Sequence, residues 1–233
     1  MFPEQIVRIT SASFSKKVIM PNPYLHQITH WQDPNLPNVL DIYQASFPPN
    51  EQMRLSWWVR LLNELSLQNG PVEPEHLLYA AVGDDPNDVI GFAYCEVNRA
   101  KQLAYLMYFA MREDVRGQGI GAAVYRQLTE EILVNKNAKI IVFEVEKPEV
   151  MARESADAAR VAERRIGWYE RQGAFLLEGI HYIQGVGWQP AVEMALMFHS
   201  RTPISPEEAF AAAVSLLADN VQQTDALGWR PIS

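Results

Sequence analysis

Residues 108–122 read Tyr108-Phe109-Ala110-Met111-Arg112-Glu113-Asp114-Val115-Arg116-Gly117-Gln118-Gly119-Ile120-Gly121-Ala122, an apolar run, a charged bend, a glycine-rich loop and the start of a helix. The helix follows from Ile120, Val124, Leu128 and Ile132, which recur at i+4 and form one apolar stripe. Glycines carry no Cβ and let the backbone approach an anion closely. The first turn of a helix adds unpaired N–H groups and a positive dipole end, so loop and helix together make a phosphate cradle. Arg116 contributes a formal charge to it. A Walker-type loop would need Gly-Lys-Ser/Thr at its end, whereas Gly121-Ala122-Ala123 stands there. The dinucleotide fingerprint G-x-G-x-x-A is matched in letters by Gly117, Gly119 and Ala122. Its first glycine should follow the strand directly, and here Arg112 to Arg116 intervene, which disfavours a nicotinamide oxidoreductase.

Upstream of the loop, strand-like runs at 77–82, 89–97 and 104–111 are joined by a turn-rich segment at 83–88 and by Asn98-Arg99-Ala100-Lys101, which predicts a meander. The last of these runs is apolar on both faces, as expected of a central strand. Before the meander, a strand is expected at 26–31. Val39, Leu40, Tyr43 and Phe47, then Trp57, Leu61, Leu62 and Leu65, repeat at helical spacing on either side of Pro48-Pro49-Asn50-Glu51 and predict a helix–loop–helix pair. Downstream, the pattern predicts a strand at 139–145, a long charged helix over 149–166 continuing towards Gly173, and strands at 175–183 and 192–198. A terminal helix over 205–222 would be capped by Ser205-Pro206-Glu207-Glu208. Helices, meander, helix, strand, helix and two further strands describe a mixed α/β (α+β) sheet, not an alternating doubly wound one.

The 28 acidic and 20 basic side chains leave a formal charge of −8, so a polyanion is repelled and nucleic acid is not expected as a partner. Cys95 is the only cysteine, which excludes an internal disulfide and fits a reducing compartment. No apolar run approaches the ~20 residues of a spanning helix, and the opening stretch lacks the apolar centre of a signal peptide. A cytoplasmic protein with no membrane partner is therefore expected. The five histidines show no metal-ligand spacing, and no metal is expected. Residues 1–23 are expected to be an N-terminal extension, 24–200 one domain, and 201–233 a C-terminal helical extension. That last helix would cover an open sheet edge or make a subunit contact, so a homodimer is one assembly it allows.

The glycine loop resembles motif A of the GNAT superfamily of N-acetyltransferases, Arg/Gln-x-x-Gly-x-Gly/Ala between a strand and a helix, with Arg116, Gly119 and Gly121 at the defined positions. The segment Arg164-Arg165-Ile166-Gly167-Trp168-Tyr169-Glu170-Arg171-Gln172-Gly173-Ala174-Phe175 resembles the second motif of that family, a helix ending in Tyr-x-x-x-Gly-Phe/Ala. The two motifs stand in the family's order. The resemblance implies a GNAT-like, mostly antiparallel central sheet of about six to seven strands flanked by helices. It also implies an acyl-CoA-dependent N-acyltransferase, with acetyl-CoA or another acyl-CoA as cosubstrate and a small-molecule or peptide amine as acceptor.

Carried onto this chain, the resemblance implies that backbone N–H groups of Arg116, Gly117, Gln118, Gly119, Ile120, Gly121 and Ala122 hold the CoA pyrophosphate. The pantetheine arm would run along the strand edge at Phe109, Ala110 and Met111, with the Phe109 N–H as oxyanion donor. Tyr169 matches the family's general acid; its alternative role is an aromatic at a helix end covering the core. The family often places a carboxylate base on the strand before motif A, where this chain has Tyr105. The candidates for the base are then Glu51 and Glu146, ahead of Glu144 and Glu96, with Glu144 and Glu146 on one face by strand alternation. The usual Asn-x-x-Ala before the tyrosine is also missing, its place taken by Ala162 and Arg165. Arg160, Arg164 and Arg165 are expected to form Glu–Arg pairs on a solvated face ahead of contacts to a CoA phosphate. These departures keep open a second reading, a catalytically weak acyl-CoA sensor.

Overall fold

The computed structural model describes residues 23–49, 51–67, 73–184, 192–217 and 227–230. Strand β1 (Tyr24–Ile28) leads into α1 (Leu36–Ser46) and α2 (Leu55–Leu67). The meander β2 (Glu75–Val82), β3 (Val89–Asn98) and β4 (Leu103–Met111) follows, then α3 (Ile120–Glu130) and β5 (Ile140–Glu146). A single turn α4 (Pro148–Met151), the long α5 (Ala156–Arg171), β6 (Phe175–Leu176), β7 (Ile180–Gln184), β8 (Val192–Ser200), α6 (Pro206–Leu217) and β9 (Leu227–Trp229) complete it. The strand order is β1-β2-β3-β4-β5-β8-β7-β9, with β6 beside β8. Only β4 and β5 are parallel neighbours among the described strands.

Three expectations shift. The sheet has nine strands among the described residues, partly because the 175–183 run breaks at Gly179, whose φ of +74° turns the chain between β6 and β7. The first strand lies earlier than expected, because Asp33 closes the next turn by accepting the Asn35 N–H at 2.9 Å. The charged helix is interrupted: Ser155 is extended and its Oγ accepts the Ala158 N–H at 3.0 Å, so α5 starts afresh with Asp157 in its first turn. Residues 1–22 of the expected N-terminal extension, and the predicted helix beyond Leu217, lie outside the described residues.

Each face of the sheet buries its own core. The stripe Ile120, Val124 and Leu128 of α3, continued by Ile132 in the wider helical turn at Glu131–Asn135, is buried, and with α5 it covers Leu77, Cys95, Leu106, Phe143 and Val145. On the opposite face Tyr43, Trp58 and Leu62 of α1 and α2 pack on Leu78, Phe92, Tyr94 and Tyr108. Helix α6 lays Ala209, Ala212, Ala213 and Leu217 against Tyr105, Val142 and Phe198, so it covers a sheet face, not an edge. Phe143 is 1% exposed and its ring lies 4.7 Å from that of Tyr169. Phe143→Ala is therefore expected to cost ~3–5 kcal/mol, read as a lower urea midpoint at unchanged slope. A slope change would show that the substitution alters more than packing.

Two features of β4 open the sheet. In the β3–β4 register Tyr94 faces Tyr108 and Cys95 faces Leu106, leaving Met107 as an extra residue. This bulge sends Met107 and Tyr108 to the α1–α2 side in succession and returns Phe109 to the α3–α5 side. Beside it, β4 and β5 pair only as Leu103–Ile140, Ala104–Ile141 and Tyr105–Val142, although β4 runs on to Met111 and β5 to Glu146. Beyond Tyr105 the two strands part, and a wedge with unpaired backbone on its β4 wall opens between them.

Candidate active site

The wedge holds a cavity of about 640 Å³. Met107, Phe109, Ala110 and Met111 form its β4 wall, and Phe143, Glu144 and Val145 its β5 wall. Arg116, Gly117, Gly119, Gly121 and Ala122 close one end, and α5 lays Arg164, Arg165, Trp168, Tyr169 and Arg171 along it. Of the expected cosubstrate residues, only Gln118 and Ile120 stay off the wall. The Gln118 amide donates to the Asp114 carbonyl at 2.9 Å, and the Ile120 side chain is buried in the core.

The loop before α3 is shaped by tie-downs on both sides. Arg112 reaches Asp88 at 2.7 Å and Asp114 at 2.7 Å, and the Arg116 Nε donates to the Met111 carbonyl at 2.8 Å. Gly117 and Gly119 have φ of +76° and +80°, the left-handed region that a side chain resists. A Cβ on Gly121 would stand 3.3 Å from Met111 Cγ and 3.8 Å from Trp168 Cζ2. The first helical bonds run from Ala122 N–H and Ala123 N–H to the Gly119 carbonyl, so the N–H groups of Gly117 through Gly121 have no backbone acceptor. Glycine curvature and free donors thus coincide at a positive helix end.

The arginines of α5 depart in part from expectation. Arg160 makes an exposed pair with Asp157 of its own helix, whereas Arg165 reaches across to Glu146 of β5, whose side chain is largely buried. Arg164 and Arg171 have no acidic partner among the described residues and stand on the cavity wall, which suits them to an anionic ligand. Trp168 also lines the cavity. Its ring stacks on Phe109 at 6.1 Å and 23°, and its only signal in sequence is adjacency to Tyr169 on a helix.

The expected acid and base, Tyr169 and Glu51, stand differently: Tyr169 lines the cavity and Glu51 does not. Tyr169 is 8% exposed, packed by Phe143, Trp168 and Tyr125, and its hydroxyl makes no hydrogen bond to a described residue. Burial pushes its pKa up to about 12, with Arg165 opposing the rise and Glu146 adding to it, so its hydroxyl is neutral at pH 7. Glu51 is held by its backbone: its N–H donates to the Pro48 carbonyl at 2.9 Å and its carbonyl accepts the Tyr108 hydroxyl at 2.9 Å. Burial first, then the charges of Glu146 and Glu144, push its carboxyl up to about 7 against the pull of Arg165.

The four candidate carboxylates separate. Glu51 and Glu146 border the site through their mutual field but do not line the cavity, and Glu146 is engaged by Arg165. Glu96 turns away, accepting the Tyr94 hydroxyl at 3.1 Å beside His76. Glu144, ranked behind the first two from sequence, is on the wall. Among the described residues no group of His, Cys, Asp and Glu is arranged to hold a metal, and no helix is long and apolar enough to cross a membrane.

A parted parallel strand pair, a glycine loop with free donors and a buried tyrosine thus face one cavity. The sequence model of the acetyltransferase (GNAT) family matches residues 29–173, well over half of the chain, and the chain belongs to that family. It is thus an N-acetyltransferase of a family that uses acetyl-CoA. A search of curated proteins finds no match. Among solved structures it is similar to a protein from Bacteroides thetaiotaomicron described as a candidate GNAT-family acetyltransferase. The identity is 22% and the TM-score 0.63, over 85% of this chain and 99% of that one. It is also similar to a variant of the spermidine N-acetyltransferase from Vibrio cholerae, at 12% identity and TM-score 0.56, over 77% and 94% of the chains. A dodecameric structure of the Vibrio cholerae enzyme gives 11% and 0.55, over 84% and 96%. At such identities the likeness is one of fold.

Proposed function

We propose that this protein moves the acetyl group of acetyl-CoA directly onto a primary amine within a ternary complex. The observation that carries this reading is one cavity lined by both an anion cradle and a neutral buried tyrosine. The residues present fit acetyl-CoA: the left-handed glycines, the free N–H groups of Gly117–Gly121 and the unpaired Arg164 and Arg171 all suit its phosphates. The unpaired β4 edge at Phe109, Ala110 and Met111 suits its amide-bearing arm. Acetyl-CoA supplies the acetyl group as a thioester. The Phe109 N–H is assigned to the thioester carbonyl oxygen, where losing a donor typically lowers the rate ~10²–10³-fold.

An ammonium has no lone pair, so the acceptor must lose a proton before its nitrogen attacks. Glu51, with a carboxyl near 7, accepts it. As the C–N bond forms and the C–S bond breaks, Tyr169 gives its proton to the departing sulfur. The fold shared with spermidine N-acetyltransferase supports a small aliphatic amine as acceptor. Free-thiol release from acetyl-CoA with spermidine, simple alkylamines and a lysine peptide is expected to exceed the hydrolysis blank. Tyr169→Phe should lower kcat ~10²–10⁴-fold while acetyl-CoA still binds. Saturable acetyl-CoA binding without thiol release would instead make the protein a sensor.

A further inference from the structure

Among the described residues, Glu144 is the one carboxylate lining the cavity, and it lies at the apex of the wedge, two residues past the last β4–β5 pair. Two strands converge on it. Its Oε2 accepts the hydroxyl of Tyr105 from β4 at 2.6 Å, and its Oε1 accepts the hydroxyl of Tyr182 from β7 at 2.6 Å. The tyrosines are 5% and 3% exposed, so both are packed in place. Burial raises the pKa of this carboxyl and the two hydroxyl donors oppose the rise by favouring its charged form; bonds this short fix the plane of the group.

Both donors are neutral. No Lys, Arg or His among the described residues pairs with Glu144, in contrast to Glu146, Glu75 and Glu193, each of which has a cation. A carboxylate taken from water without a counter-charge is costly to keep. It has about four acceptor sites, of which the hydroxyls use one per oxygen, leaving one on each for a ligand. The field of Glu51 and Glu146 nearby has the same sign.

We propose that Glu144 seats the ammonium group of the acceptor, so that the enzyme selects a cationic primary amine, with Tyr105 and Tyr182 as positioning residues that hold the carboxylate rigid. This rests on the acetyltransferase reading and names its substrate class. It also gives Tyr105 a role: the carboxylate of the acceptor site comes from β5, and Tyr105 orients it from the last paired position of β4.

The test is calorimetric titration of the full chain, saturated with CoA, with n-butylamine and 1,4-diaminobutane, and with 1-butanol as the uncharged control. Wild type is expected to bind the amines and not the alcohol. Glu144→Gln, of the same shape, should weaken amine binding at least about tenfold, and Tyr105→Phe and Tyr182→Phe about three- to tenfold. In turnover, Glu144→Gln should raise KM for the amine far more than it lowers kcat, a split that a merely structural role would not produce. CoA affinity should be unchanged in all three. Equal amine affinity in wild type and Glu144→Gln overturns the proposal, as does failure of CoA-loaded wild type to bind either amine. Should Glu144→Gln not fold, unchanged amine affinity in both tyrosine variants overturns it. Failure of wild type to bind CoA at all would instead strike the acetyltransferase reading.

Discussion

Acetyl-CoA is expected to raise the melting temperature of the wild-type protein by several degrees and to leave a Gly119→Glu variant where it was. A ligand at a hundredfold excess over its Kd stabilises by ~2.7 kcal/mol, and for a chain of this size each kcal/mol moves Tm by about 2–4 °C. Gly119 is the residue to change because it is the N-cap of α3 and has a φ of +80°. A glutamate there brings its own anion to the helix's positive end, where it occupies the donors and repels phosphate. The left-handed conformation also strains any side chain by roughly 1–2 kcal/mol, so the variant melts lower on its own and the ligand-induced shift is the quantity to compare. Gly117→Ala is the milder control, since a Cβ there meets nothing within 4 Å and carries no charge. A full shift in Gly119→Glu would remove the phosphates from this loop. A shift of wild type by NAD(P)H and not by CoA would replace the cosubstrate.

Glu51→Gln is expected to lower kcat/KM by ~10²–10⁴-fold and to abolish the limb of the pH profile that rises near 7. The carboxyl goes from an ordinary value of 4.5 to about 7, chiefly by burial and the charge of Glu146. The folded chain therefore holds this proton more tightly than the unfolded one. Its contribution to stability is complete below 4.5 and lost as pH rises through 7, so the ionisation that activates the base also destabilises the fold. Glu51→Gln should thus gain Tm relative to wild type between pH 5 and 8. His199 works in the opposite direction, because burial beside Tyr125 lowers its pKa and the stability it provides is lost as pH falls below its ordinary 6.5. An unaltered rising limb in Glu51→Gln would remove Glu51 from the role of base.

Much of this molecule is written in short stretches of chain. The α3 stripe, the paired helices around Pro48-Pro49, the β2–β3–β4 meander and the glycine loop are legible because periodicity, caps and turn residues act within a few positions. The start of α5 carries the same kind of local sign, a serine cap at Ser155 with an acid in the first turn, although the charge pattern by itself runs on through it. The bulge at Met107 has no such sign, because β4 is buried on both faces and alternation is silent there.

The parting of β4 from β5 after Tyr105 likewise belongs to no single segment. Glu51, Glu96, Glu144 and Glu146 are visible in sequence as candidate carboxylates, but spacing does not rank them. The ranking came from Arg165 reaching Glu146 from α5, Tyr94 holding Glu96, and Tyr105 and Tyr182 closing on Glu144 from separate strands. The sequence alone determined the main helices and strands, their order and the glycine-rich turn into α3, since those depend on local sterics, periodicity and caps. Tertiary structure alone decided which carboxylate meets the cavity, since that depends on strand register and on burial shared by residues far apart in the chain.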